Sequence, residues 1–85
     1  MKILYAEEFY KQFQKLPQDI QRFFRKQESI FKINVNDPRL HVKKLKGNPL
    51  LFSFRITRRY RVLFIFTDQS TAVLVTIGHR KDVYD

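Results

Sequence analysis

The apolar residues of this chain change their spacing once, near Leu50, and that change limits the possible fold more than any other feature. Upstream they recur every three to four residues, and downstream every second residue. A helix gathers positions i, i+4 and i+7 on one stripe, whereas a strand gathers i and i+2 on one face. Helices are therefore expected in the first half and strands in the second.

Phe9, Phe13 and Leu16 form the first helical stripe, with Lys11, Gln14 and Lys15 elsewhere, and Pro17 limits that helix. Ile20, Phe23, Phe24, Gln27, Ile30 and Phe31 resume the spacing, with Arg22, Arg25, Lys26, Glu28 and Lys32 mostly on the opposite side. This predicts a second helix from about Gln18 to Ile33, ended by Asn34-Val35-Asn36-Asp37-Pro38, a run of turn formers. The two helices make a hairpin about Pro17. Ahead of them Lys2 to Tyr5 reads as a short strand, and Glu7 and Glu8 complement the dipole at the helix start.

Downstream, Phe52, Phe54 and Ile56 alternate with Leu51, Ser53 and Arg55, and Tyr60, Val62, Phe64 and Phe66 alternate with Arg61, Leu63 and Ile65. A further strand covers Ala72 to Ile77. The separating runs, Thr57-Arg58-Arg59 and Asp68-Gln69-Ser70, have hairpin length. The expected fold class is α+β: an N-terminal strand, a two-helix hairpin, then a three-stranded antiparallel meander, with the helices packed on one face of the sheet. Apolar residues on both faces of Tyr60 to Phe66 and Ala72 to Ile77 make those strands central. Phe9, Phe13, Phe23, Phe24, Phe31, Phe54, Phe64 and Phe66 sit at core spacing.

Length and composition fit one domain over residues 1–85. With 44% hydrophobic residues the chain can fold on its own, but 85 residues suffice for one core only. The absence of cysteine excludes a disulfide framework and thiolate metal sites and fits a reducing compartment. No signal-peptide pattern opens the chain, and its apolar runs fall far short of the roughly 20 residues of a spanning helix. A cytoplasmic protein with no membrane partner is expected.

Charge is distributed unevenly. The formal net charge is +9, and the window between Asp37 and Asp68 holds eight bases and no acid: Arg39, Lys43, Lys44, Lys46, Arg55, Arg58, Arg59 and Arg61. Arg80 and Lys81 follow the last strand. If the hairpin pairs Ile56 with Tyr60, then Arg55 and Arg61 face each other on one side of the sheet, where like charges repel. Such a pair is understandable on a surface that meets an anion, and guanidinium forks suit phosphate. Nucleic acid is the obvious polyanion. A solvated basic surface is the alternative.

No Gly-rich phosphate loop, paired-carboxylate signature, nucleophile elbow or metal-ligand cluster occurs, so conventional hydrolase classes have little support. What remains is a set of arginines with His79 and Tyr84, able to neutralise a phosphate and move protons. RNA brings its own nucleophile, the 2′-hydroxyl, so an enzyme acting on it needs alignment and charge but no metal. No cofactor is expected. Tyr84 lies in a polar C-terminal segment where no periodicity calls for a buried ring.

Three strings, Lys44-Leu45-Lys46-Gly47, Tyr60-Arg61-Val62-Leu63-Phe64 and Gly78-His79-Arg80-Lys81-Asp82-Val83-Tyr84, together with the order of elements, resemble the RelE/ParE superfamily of toxin-antitoxin toxins. The resemblance spans nearly the whole chain, and the last string is its most specific part. It implies a RelE-like messenger-RNA endoribonuclease acting on the ribosome, with a cognate antitoxin as partner. Messenger RNA and ribosomal RNA are the other partners implied, and the toxin alone is expected to be monomeric.

By position, the resemblance gives Arg61 the role of stabilising the transition-state phosphate and matches Arg80 to the family arginine after the fourth strand. It gives Tyr84 that of stacking on a base and helping to orient or deprotonate the 2′-hydroxyl. Arg55 falls where such toxins carry a base on the second strand. Ser53 departs from the pattern, which has a lysine there. His79 is either the proton donor to the leaving 5′-oxygen or a ring turned into the sheet. His41 is a weaker candidate for chemistry. Lys43, Lys44, Lys46, Arg58 and Arg59 are expected to grip RNA backbone. Two other functions remain open, a ParE-like inhibitor of DNA gyrase and a non-catalytic basic RNA-binding domain.

Overall fold

A computed structural model describes residues 1–83 of the chain. It contains β1 (Lys2–Tyr5), α1 (Glu7–Gln14), α2 (Gln18–Ile33), a 3-10 turn (Pro38–Leu40), β2 (Lys43–Lys44), β3 (Phe52–Arg55), β4 (Tyr60–Asp68), β5 (Thr71–His79) and a final turn of helix, α3 (Arg80–Val83). The strands form one five-stranded sheet in the order β1-β5-β4-β3-β2. The α+β class, the opening strand, the helix hairpin and the meander of β3, β4 and β5 are all present. The sheet is mixed, because β1 runs parallel to β5 while every other pair is antiparallel.

The helix hairpin forms for local reasons. Glu7 and Glu8 occupy the first turn of α1, where the exposed amides carry partial positive charge. The carbonyls at its end and just beyond it are met from α2, as Gln21 Nε2 donates to Phe13 O at 3.2 Å and Leu16 O at 3.1 Å. The carbonyl of Pro17 accepts from Gln21 N–H at 3.0 Å and starts α2. Asp37 begins the 3-10 turn by accepting the Arg39 N–H at 2.9 Å, and it also takes the Arg39 guanidinium at Nε (3.0 Å) and Nη2 (2.9 Å). Those bonds lower the Asp37 pKa to about 2, the side-chain bond contributing most.

Both helices lie on one face of the sheet. Phe9, Phe24, Phe31, Phe54, Val62, Phe64, Leu74 and Ile77 are buried between the layers. Phe31 stacks on Phe54 at 4.8 Å between ring centroids and meets Phe64 edge-on at 4.9 Å. Each such side chain contributes roughly 1.5–3 kcal/mol of burial. A register shift between Leu63 and Phe64 pairs them with Thr76 and Leu74 and leaves Val75 without an opposite residue. That bulge turns both Leu74 and Ile77 toward the helices, which strict alternation forbids. Among the described residues, no helix is long and apolar enough to cross a membrane.

Two phenylalanines expected in the core are not there. Phe23 is 47% exposed, because Ile20, Phe24, Gln27 and Phe31 take the sheet-facing positions of α2 and leave it on the flank. Phe66 is 39% exposed, because β3 begins opposite Phe64 and leaves the end of β4 uncovered on that side. Glu28, expected on the solvated side of α2, is buried. It accepts from the Tyr5 hydroxyl and from Arg25 Nη1 at 3.3 Å. Burial first, and the Glu28 carboxylate second, push the Tyr5 phenol well above its ordinary range.

Candidate functional site

The hairpin between β3 and β4 sets the site. Ile56 N–H donates to Tyr60 O at 3.0 Å, which makes Ile56 and Tyr60 a hydrogen-bonded pair. The next pair, Arg55 and Arg61, is therefore of the non-hydrogen-bonded kind, in which side chains stand closer. Phe54 and Val62 point to the helices, so Arg55 and Arg61 point to the other face. Gly78 of β5 lies beside Arg61 in the same row, with no side chain to crowd it. A Cβ added at Gly78 would come within 3.2 Å of Val83 Cγ1, so the missing side chain is what lets α3 close on this face.

The two arginines differ in how they are held. Arg61 is buried, and its Nη1 donates to Thr57 O at 2.6 Å and Tyr60 O at 3.2 Å. Arg55 is half-buried, and its Nε is enclosed without a hydrogen-bond partner. An enclosed donor left unpaired costs about 1–3 kcal/mol, and a second positive charge opposite adds to that cost. An anion on this face offsets both.

Further bases gather at the same end of the sheet. Arg58 and Arg59 are exposed in the hairpin loop, which the Thr57 hydroxyl shapes by accepting from the Arg59 and Tyr60 amides at 3.3 Å each. Arg80 N–H donates to Arg59 O at 2.7 Å, so the start of α3 is tied to that loop. Arg55, Arg58, Arg59, Arg61 and Arg80 thus share one region.

The structure separates other candidates from it. His79 pairs with Tyr60 and so lies on the helix-side face, opposite to Arg61, where its ring meets Tyr60 edge-on at 5.5 Å. Its Nδ1 accepts the Lys81 N–H at 3.2 Å, at the first turn of α3. Lys43, paired with Ser53, shares the arginine face, whereas Lys44, paired with Phe52, does not. Lys46 lies further along, toward the end of the sheet away from the arginines. His41 is exposed with a left-handed backbone (φ 50°) between the 3-10 turn and β2. Ser53 is buried in the row next to Arg55. Tyr84 lies outside the described residues.

One site residue was not legible as such. Gln27 follows the apolar stripe of α2, yet it is a buried amide whose Nε2 donates to Arg55 O at 2.8 Å and to Arg39 O at 3.0 Å. The signal available in the sequence was a polar residue in a stripe otherwise made of Ile and Phe.

No family model matches the sequence, and no curated protein matches it. Solved structures do match. A chain of the RelB-RelE antitoxin-toxin complex from Methanococcus jannaschii is 25% identical, with a TM-score of 0.78 over 96% of this chain and 95% of that one. A chain of the RelE-RelB complex from Pyrococcus horikoshii is 21% identical, with a TM-score of 0.75 over 96% and 97%. YafQ from E. coli is 10% identical and reaches a TM-score of 0.80 over 99% and 98%.

Proposed function

The chain has the RelE/ParE toxin fold, and from that premise we propose that it is the toxin of a type II toxin-antitoxin system and a ribosome-dependent endoribonuclease that cuts messenger RNA. The observation that carries the reading is the Arg55–Arg61 pair, opposed on the sheet face that α1 and α2 leave free, with Arg58, Arg59 and Arg80 at the same end. A neutral protein-binding surface has no use for that concentration of charge. A phosphodiester in its reactive geometry has a direct one.

In this mechanism the RNA 2′-oxygen attacks the adjacent phosphorus while the bond to the 5′-oxygen breaks. The products are a 2′,3′-cyclic phosphate and a 5′-hydroxyl. Arg61, held by Thr57 O and Tyr60 O, neutralises the charge that builds on the non-bridging oxygens, with Arg55 opposite it. Arg80 adds charge from the start of α3. Tyr84 is assigned to stack on a base and to orient or deprotonate the 2′-hydroxyl as its oxygen attacks. His79 serves as proton donor to the 5′-oxygen only if that oxygen is reached from the Tyr60 side, since the ring lies across the sheet from Arg61. Lys43, Arg58 and Arg59 contact RNA backbone, and Lys44 and Lys46 extend that contact toward β2. No metal takes part.

The partner that silences the toxin is a cognate antitoxin, a segment with acidic character suited to the +9 charge of this chain. Analysis of the RNA ends tests the chemistry. Cyclic phosphate ends, and loss of cutting when a 2′-deoxy nucleotide stands at the cleaved position, are expected. Cutting that persists at the deoxy position would overturn the mechanism.

A further inference from the structure

Resting on the RNA reading above, we propose that Gln27 is the positioning residue of the arginine pair: from α2 it fixes the backbone of Arg55, and so places the guanidinium that shares a phosphate with Arg61. Gln27 lies between Phe24 and Phe31 in the sheet-facing stripe, where an apolar residue is the ordinary occupant. Both of its amide protons are used, one on Arg39 O and one on Arg55 O.

The need for those bonds follows from the ladder. In the non-hydrogen-bonded pair with Arg61, the Arg55 carbonyl points away from β4, toward the place where β2 would continue. The pairing of β2 with β3 ends at Lys43 and Ser53, two residues short of Arg55. The side chain of Gln27 supplies the donor that a longer β2 would have given, and it holds the 3-10 turn in place with the same nitrogen. An apolar side chain there leaves both carbonyls unpaired.

The consequence falls on Arg55 more than on Arg61. The Arg61 guanidinium is anchored on one loop carbonyl, Thr57 O, and on Tyr60 O at the start of β4, whereas the Arg55 Nε has no acceptor and takes its place from the backbone that Gln27 fixes. A small displacement of that backbone separates the pair, and misplacement by about 1 Å can cost a site on the order of a hundredfold.

The test is a double-mutant cycle on the full chain, read as binding of a 2′-O-methyl RNA oligonucleotide, which cannot be cut. Gln27→Met is expected to weaken binding by about tenfold, and to add less than about twofold in a chain already carrying Arg55→Met. Equal losses in both backgrounds, or no loss in the first, would overturn the proposal. Gln27→Asn keeps the amide but stops one methylene short. It must show the same pattern, and it decides the matter if Gln27→Met does not fold.

A second arm uses inorganic phosphate and the Arg55 Nε–H resonance. The wild-type signal is expected to shift on titration, and the shift to shrink in either Gln27 variant. A wild-type chain that ignores RNA but responds to phosphate removes the RNA reading and leaves Gln27 in place. An Arg55 signal that ignores phosphate, or responds equally in the variants, removes Gln27.

Discussion

Arg55 on β3 and Arg61 on β4 stand directly opposite each other in a non-hydrogen-bonded pair, one with an enclosed unpartnered Nε and the other anchored on two carbonyls. The pairing therefore sets two like charges against each other, and an anion bound at the Arg55 Nε would offset that cost. Arg55→Met keeps the stem and removes both the charge and the orphan donor. It is expected to raise the free energy of unfolding by about 0.5–1 kcal/mol while weakening RNA binding. Denaturant unfolding beside an RNA titration checks the opposite signs, and a loss of stability would mean that the pair is not strained.

Asp37 and Arg39 make a pH-dependent lock on the 3-10 turn that precedes β2. The Asp37 pKa is lowered from 3.8 to about 2, so its contribution is fully present above 3.8 and is lost as pH falls toward 2. An NMR titration of the Asp37 carboxyl carbon should show that midpoint, and Arg39→Ala should return it toward 3.8.

The position of His79 predicts its tautomer. Because Nδ1 accepts the Lys81 amide, the neutral ring carries its proton on Nε2. Nitrogen chemical shifts at neutral pH distinguish the two forms. A proton on Nδ1 would contradict the contact that begins α3.

Burial separates two phenylalanines that the sequence places in one stripe. Phe31, enclosed by Phe54 and Phe64, should lose about 3–5 kcal/mol on substitution by alanine. Phe23, 47% exposed, should lose less than about 1 kcal/mol. Thermal unfolding of the two variants checks the contrast.

What the sequence made legible is what periodicity and turn chemistry encode. The bounds of β1 and α2 and the placement of Arg55 opposite Arg61 follow from short-range spacing. Less accessible were features set by contacts between distant segments. The parallel pairing of β1 with β5 has no local signature. Neither has the two-residue β2, nor the bulge at Val75 that turns Leu74 and Ile77 to one side. Gln27 and Glu28 read as ordinary helix residues because their partners, Arg55 O and the Tyr5 hydroxyl, lie far away in the chain. His79 was placed beside Arg80 by its number, and only the register shows that it faces away from Arg61.

The proposed cutting of messenger RNA on the ribosome rests on this arginine-lined fold. It is tested most directly by adding the protein to a reconstituted translation reaction and mapping messenger-RNA 5′ ends by primer extension, with Arg61→Ala and a reaction without ribosomes alongside. New ends that require ribosomes and vanish with Arg61→Ala, while that variant stays folded, are the predicted result. Intact messenger RNA with the folded wild-type protein would contradict the account, and inhibition of DNA gyrase supercoiling by the same sample would assign the fold to the other action.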